Sequence, residues 1–119
     1  MGKQPKFCIA HIARNTAGEA EARDITQLMQ TAFGISSQEG AKSYITGNVI
    51  EVIKGGYLGT NGHIAIGTPD IDAAVAYLEE KGLRFDPTTT EWDENGKKIV
   101  YLDHELAGFA LHLVRKELK

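Results

Sequence analysis

The chain has 119 residues, of which 42% are hydrophobic and 24% are charged, and its formal net charge is −3. These values are typical of a single globular domain with a real core and exclude a disordered chain. A slightly acidic chain offers no basic patch for nucleic acid or an anionic membrane, so we expect neither partner.

The single cysteine, Cys8, excludes an internal disulfide and a zinc cluster made of several cysteines. No apolar run reaches the length of a signal peptide or of a membrane span. We therefore expect a soluble protein of the cytoplasm.

The first half of the chain predicts a strand, a helix and three further strands. Residues 7–14 are predicted as a strand, in which successive side chains lie on opposite faces, with His11 and Ala13 on one face and Cys8 on the other. Cys8 is therefore discounted as a nucleophile or a metal ligand. Thr16 and Glu19 have the spacing of a capping box, and Gly34 is a suitable helix end. The apolar stripe of this helix is predicted as Ala22, Ile25, Leu28, Met29, Ala32 and Phe33. Short strands are predicted at 35–38, 42–46 and 49–54, the last two joined by a Gly47-Asn48 turn.

The second half repeats this order after a glycine-rich connection at residues 55–62, which lacks the GxxxxGK[ST] spacing of a phosphate-binding loop. A strand at 63–67 precedes a helix whose cap and first turn are predicted from Thr68-Pro69-Asp70. Further strands are predicted at 84–86, near Trp92, at 98–102 and at 108–115, with a polar stretch separating the first two.

The two halves carry related residues at equivalent places. AHIARNT at 10–16 and GHIAIGT at 62–68 both read His-Ile-Ala, two residues, then Thr, and GNVIEV at 47–52 aligns with GFALHL at 108–113. The first and the last strand of each half therefore contribute one candidate ligand each. The four candidates are His11, Glu51, His63 and His112.

Imidazole nitrogens and a carboxylate oxygen are donors that zinc, nickel, cobalt, manganese and iron accept. A lone strand histidine is more often an ordinary half-exposed residue, and a lone Glu51 would face solvent. Four such residues at repeat-equivalent positions favour a site for a divalent metal ion. His104, in a polar Asp-His-Glu turn, is interpreted as a solvated loop residue.

The H-I-A…T strand starts, the G-N-x-I-E-x strand end and the doubled βαβββ order resemble the vicinal oxygen chelate superfamily, which includes glyoxalase I, extradiol dioxygenases and methylmalonyl-CoA epimerase. The resemblance implies an α+β fold in which two βαβββ modules form a cupped mixed sheet with helices on the outer face. It implies a single glyoxalase-like domain at 1–119, with module 1 at about 7–54, a linker at 55–62 and module 2 at about 63–115. The family's ligand positions match the four candidates, but glyoxalase I-like members usually have Glu where this chain has His112.

A narrower resemblance joins YLGTNGHIAIGTPDIDAAVAYLEEKGLRFD and GFALHLVRK to the glyoxalase-like domain appended to some bacterial 2-keto-3-deoxy-6-phosphogluconate or 4-hydroxy-2-oxoglutarate aldolases. The aldolase barrel itself is absent from these residues, so its activity does not carry over.

The working hypothesis is a metal-dependent lyase or isomerase-type enzyme for a small-molecule substrate with vicinal oxygens, such as a 2-oxo acid, a hydroxyketone or a hemithioacetal. A metal-stabilised enediolate would form, with Glu51 as the catalytic base and Tyr101, Arg14 and Lys54 as possible substrate contacts. The alternatives are a non-catalytic metal-binding or metabolite-binding regulatory module, and oxygen chemistry at a two-His-one-carboxylate iron site, which a fourth ligand disfavours. A homodimer is expected from exposed strand edges.

Overall fold

The structure, a computed structural model, describes residues 4–118. Its first half contains β1 (Cys8–Arg14), α1 (Glu19–Phe33), β2 (Ser37–Glu39), β3 (Ser43–Thr46) and β4 (Ile50–Ile53). Its second half contains β5 (Gly62–Thr68), α2 (Ile71–Glu80), β6 (Phe85–Asp93), β7 (Gly96–Leu102) and β8 (Phe109–Arg115). Within residues 4–118, neither helix is long and apolar enough to cross a membrane.

All eight strands form one mixed sheet in the order β2-β3-β4-β1-β5-β8-β7-β6. In each half the first strand pairs in parallel with the last, β1 with β4 and β5 with β8. The halves join at the centre, where β1 and β5 pair antiparallel. The predicted α+β class and the two βαβββ units are therefore confirmed, and both units belong to one chain.

Each helix packs on the strands of its own half. On α1, Ala22 contacts Tyr44 and Val52, while a second cluster joins Ile71 and Ala74 of α2 to β7 and β8. Both clusters lie on one side of the sheet. The opposite side curves into an open cup.

A β-bulge in β1 corrects the predicted position of Cys8. His11 pairs with Ala65 and Ile9 with Ile66, so three residues of β1 oppose two of β5. The extra residue reverses the alternation, and Cys8, paired with Gly67, lies on the same face as His11. The prediction that Cys8 lies on the face opposite His11 was wrong, because strand alternation cannot anticipate a bulge.

The predicted capping box of α1 is also wrong. The helix begins at Glu19 with Gly18 as its N-cap, and no side chain caps it. The Oγ1 atom of Thr16 lies instead 2.7 Å from the carbonyl oxygen of Ile53, and Glu21 accepts a 3.0 Å hydrogen bond from the amide of Ala17. Because the helix begins two residues later than predicted, Thr16 does not occupy the N-cap position, and its hydroxyl donates to the neighbouring strand instead.

Two helix ends and one hairpin turn are defined by one or two residues each. Gly34 ends α1 in the left-handed conformation with φ of 69°, as predicted. Asp70 caps α2 by accepting a 3.1 Å hydrogen bond from the amide of Ala73, so Pro69 precedes the cap rather than occupying the first turn. The Gly47-Asn48 turn is confirmed, with positive φ at both residues as its hairpin type requires.

The predicted apolar stripe of α1 is buried only in its first half. Ala22 and Thr26 are buried, but Leu28 and Phe33 are 60% and 68% exposed. A 15-residue helix spans about 22 Å, whereas the four-residue strands β3 and β4 span about 13 Å each. The helix therefore extends past the strands that cover its apolar face.

The strands predicted at 84–86 and near Trp92 form one strand, β6, whose register shifts between Asp86 and Glu91. β6 lies at an edge of the sheet. Pro87, which lacks an amide hydrogen, is tolerated at an edge because no ladder hydrogen bond is lost there.

Candidate metal centre

The four central strands bring the four candidate ligands to the floor of the cup. Ala13 of β1 has Glu51 of β4 as its neighbour on one side and His63 of β5 on the other. Ala65 of β5 lies in the same way between His11 and His112. Both alanines are fully buried. Each candidate ligand thus has a small cross-strand neighbour, which leaves space above the sheet.

The candidate donor atoms are close enough to share one ion. The Nε2 atoms of His11 and His63 are 3.3 Å apart, and Oε1 of Glu51 is 3.5 Å and 3.6 Å from them. One ring nitrogen from each of His11, His63 and His112 lies within 4.8 Å of the others. Two nitrogens bound to a tetrahedral zinc ion at about 2.0–2.1 Å would be about 3.3–3.4 Å apart. The donor set and its spacing therefore fit a divalent transition metal.

Burial keeps two of the imidazoles neutral. It lowers the pKa of His112 to about 4, and it lowers the pKa of His63 more than the nearby Glu51 raises it. A neutral imidazole is the form that binds metal, so both rings are ready to act as ligands near pH 7 without losing a proton.

The tautomer of His112 is set by the backbone. Its Nδ1 atom is 3.1 Å from the carbonyl oxygen of Leu113, which can only accept, so Nδ1 carries the hydrogen. The lone pair is then on Nε2, the arrangement found in metal-ligating histidines. Nδ1 of His63 is buried and has no hydrogen-bond partner among residues 4–118.

Ser43 of β3 orients Glu51 and was not predicted. Its hydroxyl donates a 2.7 Å hydrogen bond to Oε2 of Glu51, which leaves Oε1 facing the histidines. Ser43 is the diagonal cross-strand neighbour of Glu51, because Ile45 pairs with Glu51 and Ser43 with Ile53. This contact depends on the register of β3 against β4, and the sequence pattern alone does not specify that register.

Two tyrosines flank the histidines. Tyr101 pairs with His112 across β7 and β8, with ring centroids 4.7 Å apart, and burial raises the pKa of its phenol. Tyr57, in the connection between the halves, is 53% exposed and its ring is 5.7 Å from that of His63. Asn15 holds this connection, because its side chain bonds the amide of Tyr57 and the carbonyl oxygen of Gly59.

The four candidates and both tyrosines line an open cavity of about 710 Å³. Lys54, predicted as a substrate contact, also lines it, but its Nζ is 2.6 Å from a carboxylate oxygen of Glu39. Arg14 is exposed and donates to the carbonyl oxygen of Asn61. His104 lies outside the cluster, and its Nδ1 atom is 2.8 Å from Oδ1 of Asp103.

Comparison with solved structures identifies the fold. A crystal structure of methylmalonyl-CoA epimerase is 17% identical, covers 95% of this chain and 97% of its own, and has a TM-score of 0.66. A Streptomyces coelicolor methylmalonyl-CoA epimerase variant in complex with 2-nitronate-propionyl-CoA is 18% identical over 90% of this chain and 92% of its own, with a TM-score of 0.56. The chain has the vicinal oxygen chelate fold.

A homoprotocatechuate 2,3-dioxygenase variant from Brevibacterium fuscum is 18% identical and covers 93% of this chain, with a TM-score of 0.58. The aligned region spans only 33% of the length of the dioxygenase chain. No family model matches the sequence, and no curated protein matches it significantly. At these identities the comparisons establish the fold, whereas the chemistry must be argued from the residues of the cup.

Proposed function

We propose that this chain is a metal-dependent enzyme of the lyase or isomerase type, acting on a small substrate with two adjacent oxygens. The observation that carries the proposal is the convergence of three histidines and one glutamate from four strands on the floor of one cavity. We further propose that residues 1–119 form a single domain, with modules at about 7–54 and 63–115 joined by the linker at 55–62.

The metal would be held by ring nitrogens of His11, His63 and His112 and by a carboxylate oxygen of Glu51. This donor set suits zinc, nickel, cobalt, manganese or iron. When bound, such an ion supplies Lewis-acid stabilisation of negative charge on the substrate oxygens. Chelation by two adjacent oxygens would hold the substrate in one orientation.

Glu51 is proposed as the base that, after partial release from the metal, removes a carbon-bound proton, which leaves an enediolate. Its Oε2 is fixed by Ser43, so Oε1 remains directed into the cavity. The phenol of Tyr101 is protonated at neutral pH, burial raises its pKa further, and it can donate a hydrogen bond to a substrate oxygen. With one carboxylate in the quartet, a single-base reaction is favoured over a two-base isomerisation.

The names of the structural neighbours support this reaction class only indirectly. The name of an epimerase describes an inversion of configuration at one centre, and the dioxygenase name describes a different reaction. A non-catalytic metal or metabolite-binding module is the second candidate, and the lone carboxylate is the observation that favours it. The proposed link to aldolase-appended domains would suit such a regulatory role.

Metal analysis of protein purified without added metal tests the centre. We expect about one equivalent of a divalent transition metal, and loss of most of it in His63→Ala because one of few ligands is removed. His104→Ala is the matched control and should retain the metal. Less than about 0.1 equivalent, unchanged in His63→Ala, would contradict the proposal.

The enzyme and the binding module are separated by Glu51→Gln. Solvent-proton exchange into hydroxyketones and 2-oxo acids can be followed by NMR with the metal-loaded protein. We expect exchange to fall by more than about a hundredfold while most of the metal is retained, because the amide cannot accept the proton. Exchange that is absent in the unaltered protein across such a panel would favour the binding module.

A further inference from the structure

We propose that the metal centre selects anionic chelating ligands, in which a carboxylate lies next to a second oxygen, over neutral ones. This inference deepens the proposed function and depends on its metal site. It follows from the charge of the quartet, which His112 makes less negative than a quartet with two carboxylates.

Three of the four candidate ligands are neutral. His11, His63 and His112 can bind a metal ion only as neutral imidazoles, and Glu51 contributes one negative charge. With a divalent ion the centre would carry a net charge of +1. His112 occupies the place that Glu51 has in the other half, and a carboxylate there would reduce this charge to zero.

The position of His112 makes this difference strong. His112 and His63 are only 3% and 4% exposed, and the donor nitrogens of the three histidines lie within 4.8 Å of one another. A unit charge at such a distance in a partly buried site changes the affinity for a charged ligand by about tenfold to a hundredfold or more.

The cavity wall adds little net charge to that of the centre. Lys42 and Lys54 line the cavity together with Glu19 and Glu91, so two positive and two negative side chains oppose each other. Lys54 is further neutralised by Glu39 outside the lining. The preference for an anion is therefore set by the metal ligands, and a cavity of about 710 Å³ can hold a small organic acid.

Two adjacent oxygens are the expected donors of the ligand. Four protein ligands leave two positions on an ion that takes six, and one chelating molecule can fill both. A 2-oxo acid offers a carboxylate oxygen and the neighbouring carbonyl oxygen. It would also compensate the positive charge, which a hydroxyketone cannot do.

The test compares pyruvate with hydroxyacetone, a neutral molecule of the same carbon number, by titration into cobalt-loaded protein. Binding is followed by calorimetry and by the visible spectrum of Co²⁺, and bound cobalt is measured in each sample. Because carboxylates bind metals well in any site, the measured quantity is the change in the pyruvate-to-hydroxyacetone affinity ratio between variants.

We expect His112→Glu to lower this ratio at least about tenfold, and Glu51→Gln, which makes the centre more positive, to raise it. His112→Gln keeps the charge and should leave the ratio within about threefold. Since His112→Glu could impair folding, circular dichroism is recorded, and the opposite shift in Glu51→Gln tests the inference independently. Equal ratios in all cobalt-loaded forms would overturn the inference but leave the metal centre standing, whereas failure of the unaltered protein to bind cobalt would overturn both.

Discussion

At the scale of residues, the candidate centre is built from an alternation of ligands and alanines. Ala13 and Ala65 separate the four side chains along the rows of the sheet, so the imidazoles meet above the alanines instead of crowding one another. The carboxylate is held from the side by a serine on the next strand. Small neighbours provide the space, and a hydrogen bond provides the orientation.

Ser43→Ala tests that orientation. Removing the hydroxyl leaves Oε2 of Glu51 without its 2.7 Å partner, so the carboxylate gains freedom and the affinity for metal should fall by about 10- to 100-fold. Competition with a metal-binding dye measures this affinity. Ser37→Ala is the matched control, because its hydroxyl bonds Thr46 in the same half of the sheet. Equal losses in both variants would contradict a specific role for Ser43.

At the scale of elements, the two helices begin in different ways although the halves are related. A carboxylate caps α2, whereas α1 begins at a glycine without a side-chain cap. The two halves therefore keep the same order of elements while differing in the local interactions that define each end.

Asp70→Ala should destabilise the protein by about 1 kcal/mol, because the amide of Ala73 loses its acceptor at the start of α2. Asp70→Asn keeps an acceptor oxygen at the cap and should remain within a few tenths of a kcal/mol of the unaltered protein. Urea unfolding monitored by circular dichroism measures both. An equal loss in the asparagine variant would show that the charge, rather than the cap, matters.

The end of β6 is linked to β8 by Asp93 and Arg115, and this link should depend on pH. The amide of Asn95 and then the Arg115 guanidinium lower the pKa of Asp93 below its ordinary value of 3.8. The stabilisation is therefore fully present only well above pH 3.8, where the carboxylate is ionised in both states, and is lost as the pH falls through the lowered pKa.

Asp93→Asn should consequently be less stable than the unaltered protein at pH 7, and this difference should shrink as the pH falls below 3.8 towards the lowered pKa. Thermal unfolding across this pH range measures the difference. Glu94→Gln, a neighbouring exposed carboxylate, serves as the control and should behave like the unaltered protein. A difference that is constant from pH 7 to pH 3 would contradict the assignment.

At the scale of the whole molecule, the sheet leaves an apolar strip only partly covered between the two helices. A central aliphatic row crosses four strands on the helix-bearing side, where Ile12 pairs with Ile50 and Ile64, and Ile64 pairs with Leu111. Ile9, on the same side, is 63% exposed. The domain is elongated, with extents of 50 × 30 × 28 Å.

The homodimer expected from the sequence should use this row, because exposed contiguous apolar surface marks contact sites. We expect light scattering after gel filtration to give a dimer mass for the unaltered protein and a monomer mass for Ile9→Asp at the same concentration. Trp92→Asp, which changes another exposed apolar residue at the edge of the sheet, should remain a dimer. A monomeric unaltered protein would contradict the prediction.

The sequence by itself determined the duplicated order of elements and the four candidate ligands. Both follow from short-range patterns: strand and helix periods, turn residues, and the repeated His-Ile-Ala at His11 and His63. Each of these patterns can be recognised within a few consecutive residues of the chain. The fold class and the placement of the quartet on the first and last strands of each half could therefore be predicted without coordinates.

Only the tertiary structure decided which face Cys8 occupies, which residue holds Glu51, and how much of α1 is buried. A bulge depends on the partner strand, the Ser43 contact depends on the register of two strands, and burial of Leu28 depends on how far the sheet extends beneath the helix. These relations join segments that are distant in sequence. Local periodicity carries no information about them, because they are set when the strands pair and the helix packs.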